Sequence, residues 1–297
     1  MRVTQSMLSN NMLRNLSTSY NKMGKLQDQI TTGKKVNRPS DDPVVAMKGI
    51  GYRTALDKVE QFQRNIGEVN NWLDSSDDAL DKVGSAMHRA NELAIQAANG
   101  TTTPEDQEKI KAELDQLRQH IQNIANTKVG DKYIFSGTKT TTPLYDTTIH
   151  GVSGFPTTSA DLANPTSFQK KVEIEVFDGI NMKVNTNAID LFKNIDQMFQ
   201  KIKDGTIDFG SAIGEIDDQM NDLLTTRADI GARQNRVELM DDRLQSQSVI
   251  ATKQMSENED IDYEKAITEM ITQESVHRAA LSVGARIIQP SLVDFLR

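Results

Sequence analysis

Apolar residues recur every seven positions along two long stretches of this chain. In the first stretch one row runs from Val45 to Ala94, and a second row, offset by three positions, runs from Phe62 to Ala97. Rows with this spacing form the seam through which helices pair in left-handed coiled coils. Because no proline interrupts the stretch, the pattern predicts one helix over about 43–99.

The ends of this helix and of the next one carry specific signals. Asp42-Pro43 and Thr103-Pro104 each place a polar residue before a proline, as at an N-cap followed by the first helical position. Asn99-Gly100 resembles a C-cap. A second helix is therefore expected over about 104–127, where isoleucine and leucine follow an alternating spacing of four and three.

The second stretch repeats this design in the C-terminal half. One row keeps the period of seven from Ile202 to Ala251, and no proline lies between them. Its companion row begins apolar at Ile213 and Met220 and then turns polar. Such a seam either uses hydrogen bonds to set its register or meets another chain. The polar positions are Arg227, Gln234 and Asp241.

The pattern changes between the two stretches, where short β-type runs replace the heptads. Tyr133-Ile134-Phe135 is one such run, and residues 171–176 alternate polar and apolar side chains. Asp178-Gly179 then gives a hairpin signal. We therefore expect a mainly α fold, a long antiparallel helical-bundle rod with a small β-rich domain inserted at its tip. The boundaries are 39–138 and 186–260 for the rod and 139–185 for the insert.

Both ends of the chain carry thin amphipathic stripes, and residues 1–38 and 261–297 are each predicted to form a terminal helix. Isolated helices of this size are marginal in water. Even if the two paired, they would leave apolar surface uncovered, which usually marks an interface; the alternative is that the ends fold back onto the rod. The candidate assembly interface comprises Met7, Leu8, Leu13, Leu16, Met23, Ile30, Ile267, Met270, Leu281, Ile287, Ile288, Leu292, Phe295 and Leu296.

Charge and composition narrow the function. The chain carries 42 acidic and 34 basic residues, and this balance disfavours a nucleic-acid partner, although residues 1–38 are locally basic. There is no cysteine, which excludes disulfides and thiolate chemistry. No long apolar run predicts a membrane span, and the N-terminus lacks the apolar core of a secretory signal.

No constellation of residues supports catalysis. The four histidines are far apart in the sequence and have no partner at metal-ligand spacing. The acidic run Asp74, Asp77, Asp78 and Asp81 lacks the glycine and final glutamate of a calcium loop, and we interpret it as a solvated helix face. Motifs for phosphate cradles, zinc proteases and serine nucleophiles are absent. We therefore predict a structural protein without a cofactor or metal, not an enzyme.

Three segments resemble the flagellin family. Residues 30–42 resemble the flagellin sequence between terminal helix and rod, residues 227–236 resemble its Gly-Ala-x-x-Asn-Arg segment, and residues 279–297 resemble its C-terminal helix. Two further segments, 125–127 and 130–138, are similar to the hook–filament junction subgroup of hook-associated proteins. The family-motif residues are Gly33, Asn37, Ser40, Asp41, Asp42, Gly231, Ala232, Asn235 and Arg236.

The resemblance covers about 1–138 and 186–297, and it implies an extracellular component of the bacterial flagellum. The terminal helices would form the inner layer of an axial ring of subunits, the rod the next layer, and the insert the outside. The partners implied are copies of the chain, the other hook-associated junction protein, flagellin and a chaperone of the flagellar type III export pathway. Nucleic acid and membrane are not expected partners.

Two other functions are kept open. The chain would be a flagellin or minor filament subunit if it formed long filaments alone. A soluble coiled-coil signalling adaptor would form a stable dimer with helical ends, and this interpretation leaves the terminal motifs unexplained.

Overall fold

The computed structural model describes residues 5–99, 102–151, 154–156 and 166–288, with side chains described from Met7 to Ala285 within those ranges. Its elements are mostly helices joined by short connections, together with two small antiparallel sheets. The mainly α fold with a β-rich segment is therefore confirmed. In chain order the elements are α1 Gln5–Thr32, α2 Pro43–Ala98, α3 Pro104–Ala125, β1 Lys128–Val129, β2 Lys132–Tyr133, α4 Thr147–His150, β3 Glu173–Phe177, β4 Ile180–Lys183, α5 Ile189–Lys203, α6 Phe209–Glu259 and α7 Tyr263–Ile288.

The helix starts predicted from proline are confirmed by their caps. The Asp42 carboxylate accepts hydrogen bonds from the backbone N–H groups of Val44 and Val45, at 3.0 and 3.1 Å. The Thr103 hydroxyl accepts one from the Asp106 N–H at 3.3 Å. Each cap satisfies N–H groups that have no partner in the first helical turn. At the other end α2 stops at Ala98, and Gly100 of the expected C-cap lies outside the described residues.

The chain divides into two compact units. The first, called the terminal unit, comprises Met1–Lys58 and Gln247–Arg297, and the second, called the central unit, comprises Val59–Ser246. The terminal unit contains α1 and α7, the first turns of α2 and the last turns of α6. The central unit contains everything between, including both sheets.

The hydrophobic core belongs to the central unit. Both predicted rows of α2 are buried from Val59 onward, except that Phe62 is half-buried, and the α6 row is buried from Ile216 to Leu244. A further buried row on α2 was not predicted. It consists of Trp72, Ala79, Ala86 and Leu93. It widens the buried face of α2 beyond a two-row seam, as expected for a helix with more than one neighbour in a core.

The register between α2 and α6 is set by polar pairs within the central unit. Arg227 donates to Asp77 at 2.9 Å and to Asp81 at 2.7 Å, and Gln234 donates to Asp74 at 2.9 Å. Of the two alternatives for the polar row, hydrogen bonding is therefore observed for Arg227 and Gln234. The interpretation of the acidic run on α2 as a merely solvated face was wrong, because three of its carboxylates bind α6.

The helix predicted from the C-terminal period of seven is interrupted between Ile202 and Phe209. Ile202 belongs to α5, whereas Phe209 begins α6. Gly205, with φ +67°, ends α5, and the Thr206 N–H donates to the Lys201 carbonyl at 3.0 Å. This 6→1 bond after a left-handed glycine is the Schellman termination of a helix. A glycine at this site stops the helix even though the apolar period continues.

The segment that resembles the junction subgroup folds against α3 and α5. The Asn126 side chain forms two hydrogen bonds with the backbone of Tyr145, at 2.8 and 2.9 Å. Phe135 meets the edge of Phe192, with ring centroids 5.1 Å apart. Gly137 has φ +59° and lies so close to the Ser167 carbonyl that a Cβ would come within 2.8 Å of its oxygen. The expected Tyr133–Phe135 strand was wrong beyond Tyr133, because Ile134 and Phe135 enter the core.

The hairpin predicted at Asp178-Gly179 is confirmed. Strands β3 and β4 pair antiparallel with Glu173 opposite Lys183, and the connecting Gly179 has φ +73°. Within the remaining insert, residues 152–153 and 157–165 lie outside the described residues.

Candidate functional site

Helices α1 and α7 pack against each other in antiparallel orientation. The Gln273 amide donates to the Ser19 hydroxyl at 2.8 Å, and the rings of Tyr20 and His277 lie 6.2 Å apart. Nearer the chain ends, Gly284 faces Met12 so closely that a Cβ would lie 2.8 Å from the methionine sulfur. The sequence left open whether the two terminal helices pair with each other, and this pairing is observed.

This contact is thin and partly polar. Ser19 and Gly284 are buried in it, and among the described residues of the terminal unit the only buried apolar side chains are those of Ala251 and Ala266. An alanine buries little area, and hydrophobic stabilisation is roughly proportional to the apolar area removed from water. The terminal unit therefore has the helices of a bundle without the large apolar core that normally stabilises one.

The same unit carries most of the exposed large apolar side chains. Within the described part of the chain, all of them but Ile95, Ile149, Leu224 and Leu239 belong to the terminal unit. They line both flanks of the α1–α7 pair and continue onto the nearby turns of α2 and α6. The terminal set is Met7, Leu8, Leu13, Tyr20, Val44, Met47, Ile50, Val249, Ile250, Tyr263, Ile267, Ile271, Val276, Leu281 and Val283.

The residues chosen from the sequence fall into three groups. Met7, Leu8, Leu13, Ile267 and Leu281 are exposed. Four others are half-buried: Leu16, Met23, Ile30 and Met270. The three on α1 lie on the same helix face as Met12 and Ser19, which contact α7. Ile287 and Ile288 belong to α7 but their side chains lie outside the described residues, as do Leu292, Phe295 and Leu296 entirely.

Sequence reasoning missed the second exposed flank. Val276 and Val283 lie one heptad apart on α7, on the opposite side of its α1 contact from Ile267 and Leu281, and both are exposed. The exposed Val44, Met47 and Ile50 of α2 were missed as well. Their spacing of three was a usable signal, but it fell outside the stripes of the terminal helices.

The first family motif forms the connection between α1 and α2. Gly33 ends α1 with φ +70°, and its carbonyl accepts a hydrogen bond from the Ile261 N–H at 3.0 Å. Asn37 accepts one from the Thr32 hydroxyl at 2.7 Å. A Cβ on residue 33 would lie 2.8 Å from the Tyr263 hydroxyl, so both the backbone angle and the close approach require glycine here.

The rest of this motif shapes the start of α2. Asp41 accepts a hydrogen bond from the Arg38 N–H at 3.3 Å and pairs with Lys25 at 3.3 Å. Asp42 is the N-cap already described, and Ser40 is exposed. These residues therefore fix a tight connection and do not form a chemical site.

Beside this connection lies an ion pair between Lys34 and Asp260, at 2.8 Å. The hydrogen bond from Lys34, followed by one from Ser256, lowers the pKa of Asp260 below its ordinary 3.8. The same bond raises the pKa of Lys34 above 10.5. Because the pKa of Asp260 is lowered, this carboxylate stabilises the fold above pH 3.8, and the stabilisation is lost as the pH falls through its folded pKa. Because the pKa of Lys34 is raised, this ammonium stabilises the fold below pH 10.5, and the stabilisation is lost as the pH rises through its folded pKa. The pair is therefore intact throughout the neutral range.

The second family motif belongs to α6 in the central unit. Ile230 and Val237 are fully buried there, whereas Ala232, Asn235 and Arg236 are exposed. A Cβ on Gly231 would meet nothing within 4 Å. The four motif residues therefore occupy the outward side of a helix whose opposite side is core.

The described residues show no arrangement suited to catalysis. No group of three histidine, cysteine or acidic side chains among them is placed to hold a metal ion. His88 and His120 are exposed on their helices. In the same part of the chain, every helix is too short or too polar to traverse a bilayer.

Comparison with known proteins gives the same family at both ends of the chain. The bacterial flagellin N-terminal helical region matches residues 3–140, and the bacterial flagellin C-terminal helical region matches residues 213–296. Flagellar hook-associated protein 3 of Escherichia coli (strain K12) is 27% identical, over 93% of each chain. Flagellin of Bacillus subtilis (strain 168) is 24% identical, over 97% of each chain.

A solved structure shares the fold. The structure of a putative flagellar hook-associated protein from Vibrio parahaemolyticus superposes with a TM-score of 0.62 at 23% identity, covering 74% of this chain and 100% of that one. The family is a structural one, which confirms that the chain is not an enzyme. Two family matches spanning most of the sequence, on helices arranged as described, establish that the chain belongs to the flagellin family.

Proposed function

We propose that the chain is a junction adaptor that joins the hook to the flagellin filament, and that its terminal helices become ordered only when they contact neighbouring subunits. The observation that carries the proposal is the contrast between the two units. The central unit has a large apolar core, whereas the terminal unit buries only two alanines among its described apolar side chains and exposes fifteen large ones.

The energetics favour coupled folding. Fixing the backbone of one residue costs about 1–2 kcal/mol, and α1 and α7 contain 28 and 26 residues. A contact whose fully buried residues are serine, glycine and alanine, and whose larger apolar side chains stay half-buried, does not offset this cost. Apolar surface on a neighbouring subunit supplies the missing burial, so that folding of the ends and assembly occur together.

The proposed layout follows the family. The terminal regions 1–38 and 261–297 form the inner assembly domain, 39–138 and 186–260 the helical domain around it, and 139–185 an outer domain. The partners are copies of the chain, the other hook-associated junction protein and flagellin. Export through the flagellar type III pathway, with a chaperone, brings the chain to the extracellular flagellum. The similarity to flagellar hook-associated protein 3 favours the junction role over that of a filament subunit.

Hydrogen exchange on dilute monomer tests the coupled folding. Amides of residues 1–30 and 270–297 should exchange close to the rate of an unfolded chain, because little apolar area holds these helices closed. Amides of α2 between Val69 and Ala97 should be strongly protected, because they lie in the core. Strong protection of the ends at low concentration would contradict the mechanism.

A deletion tests the junction role in cells. Bacteria lacking the gene should build hooks but release unpolymerised flagellin into the medium, and the full chain should restore attached filaments. A chain lacking residues 288–297 should keep its central unit folded yet fail to restore them. Normal filaments from the truncated chain would refute the proposal.

A second candidate function is that of a filament subunit, which the similarity to a flagellin over nearly the whole chain favours. It differs in one measurable property. A filament subunit polymerises alone into long filaments when seeded, whereas a junction adaptor does not.

A further inference from the structure

Glu259, the last residue of α6, is a buried charge in a unit that has almost no core. It is only 6% exposed. Its carboxylate accepts a hydrogen bond from Arg53 on α2 at 2.6 Å and lies 3.4 Å from the ammonium of Lys34. Its backbone carbonyl accepts one from the Lys35 N–H at 2.6 Å. One residue therefore binds both α2 and the chain that leaves α1.

A glycine on α2 makes room for this carboxylate. A Cβ on Gly49 would lie 3.1 Å from the Glu259 carboxyl carbon and in direct collision with one of its oxygens. Gly51, two residues further along the same helix, has nothing within 4 Å of its would-be Cβ. Glycine inside a helix costs about 1 kcal/mol relative to alanine. At residue 49 the missing Cβ leaves space for the Glu259 carboxylate in its observed position.

The neighbouring contacts converge on the same point. Lys34 pairs with Asp260, and the Ile261 N–H donates to the Gly33 carbonyl at 3.0 Å. On the other side, the Asn258 amide donates to the Val45 carbonyl at 3.0 Å. The end of α1, the first turns of α2, the end of α6 and the beginning of α7 thus meet around Glu259.

Only the carboxylate of this ion pair is buried, since the Arg53 and Lys34 side chains are 59% and 36% exposed. Ion pairs with solvent-exposed cations contribute little to stability, so the pair is better suited to fixing geometry than to adding stability. The directional hydrogen bonds to Arg53 and Lys34, by contrast, specify where each helix end lies. This distinction matters in a unit whose other contacts are made by small and polar side chains.

We propose that Glu259 is a positioning residue for assembly: it locks the ends of α1 and α6 onto α2, so that the two terminal helices leave this joint in the direction that neighbouring subunits require. This inference rests on the proposed assembly role. It adds that a single buried side chain, which is not itself part of the exposed apolar surface, controls whether the apolar flanks of the terminal helices can be presented together.

The glycine provides the first test, because its substitution displaces Glu259 without changing any charge. Gly49→Ala should lower the number of attached filaments at least tenfold in cells that lack the chromosomal gene. Gly51→Ala is the matched control and should assemble like the original chain. Equal assembly by the two alanine variants would overturn the proposal.

A second substitution that restores the fit between residues 49 and 259 distinguishes a positioning role of Glu259 from a general loss of folding in Gly49→Ala. Aspartate is one methylene shorter than glutamate, so Gly49→Ala combined with Glu259→Asp relieves the collision and keeps the charge. We expect the combination to restore filaments at least several-fold over Gly49→Ala alone. Absence of any such recovery would contradict a role that depends on the fit between these two residues.

Loss of the charge gives an independent test. Glu259→Gln should lose filament attachment, because Arg53 and Lys34 then face an uncharged amide. Glu257→Gln is its control, since Glu257 is 69% exposed and lies 3.9 Å from Lys253 on the same helix. The thermal transition of the central unit should stay unchanged in both. A lowered transition in Glu259→Gln would mean that the residue supports folding, which would also overturn the proposal.

Different results would refute the junction role and the positioning role of Glu259. If the original chain does not restore filaments, or the chain lacking residues 288–297 restores them, the junction role itself is wrong. If the original chain succeeds and the truncated chain fails while Gly49→Ala and Glu259→Gln both succeed, the junction role stands and only the role of Glu259 is refuted.

Discussion

Replacing Ile267 and Leu281 together with aspartate should abolish filament attachment while leaving the isolated chain as stable as before. The two side chains lie on the same flank of α7 and are 46% and 51% exposed. Because they already face water in the monomer, the change should alter its free energy of unfolding by no more than about 0.5 kcal/mol per site.

In the assembly the same two substitutions should cost much more free energy of binding between subunits. Full burial of an isoleucine or leucine contributes about 1.5–3 kcal/mol, and an unpaired charge in the same place costs several kcal/mol more. A loss of about 3 kcal/mol per contact lowers the affinity between subunits by more than about 100-fold. The measurement is the fraction of cells with attached filaments, together with the flagellin found in the medium.

The matched control is Thr272→Asp. Thr272 is an exposed residue of the same helix and is already polar, so its substitution adds one negative charge, half of that in the double variant, without removing apolar surface. We expect it to assemble normally. If the control failed as completely as the double variant, charge on α7 would explain the result, and the apolar flank would not be the interface.

Asp196→Ala should produce a large loss of stability in the central unit. Asp196, on α5, is 7% exposed and accepts hydrogen bonds from Arg118 and Gln122 of α3, each at 2.7 Å. Its removal leaves the guanidinium of Arg118 half-desolvated and without its main partner. Breaking a buried pair in this way costs about 3–5 kcal/mol. For a domain of this size, the melting temperature should fall by about 10 °C.

The reference variant replaces both charges at once. Arg118→Met with Asp196→Leu leaves no buried ion, and apolar replacement of a complete buried pair is often neutral. Thermal unfolding of both variants, followed by circular dichroism, should show recovery of most of the loss in the double variant. An Asp196→Ala transition close to that of the original chain would show that water reaches Arg118 and that the pair is not buried in solution.

The terminal unit behaves differently from the central unit in these two experiments for one reason. The stability of the central unit depends on side chains buried within the chain, so a single substitution there lowers the free energy of unfolding of the monomer. Ile267 and Leu281 of the terminal unit are about half exposed to water in the monomer, so their substitution mainly affects the binding of other subunits.

The extent of the helices could be predicted from the sequence because its signals are local. A heptad row, a proline and a cap act within a few residues, and the boundaries of α2 and α3 accordingly fall within two residues of those expected. The break between α5 and α6 was missed, although it too is local, because the heptad period continues across Gly205 and was given more weight than the glycine.

The residues of the candidate assembly interface divide in the same way. The exposed flank carrying Ile267 and Leu281 was predicted, because an amphipathic stripe is visible in the spacing of residues along one helix. The second flank, with Val276 and Val283, was not predicted. Whether a valine on a helix is core or surface depends on which neighbour the helix meets, and that neighbour is more than two hundred residues away along the chain.

By itself, then, the amino-acid order determined the long helices, their caps, the β-hairpin and the excess of apolar surface at the two ends, since each arises from contacts between residues close in sequence. The tertiary structure alone decided that Asp74, Asp77 and Asp81 bind α6, that α7 exposes two flanks, and that Glu259 lies under Gly49 between Arg53 and Lys34. These features join segments that are far apart along the chain, up to 254 residues in the contact between Ser19 and Gln273, and no local spacing encodes which distant partner a side chain will meet.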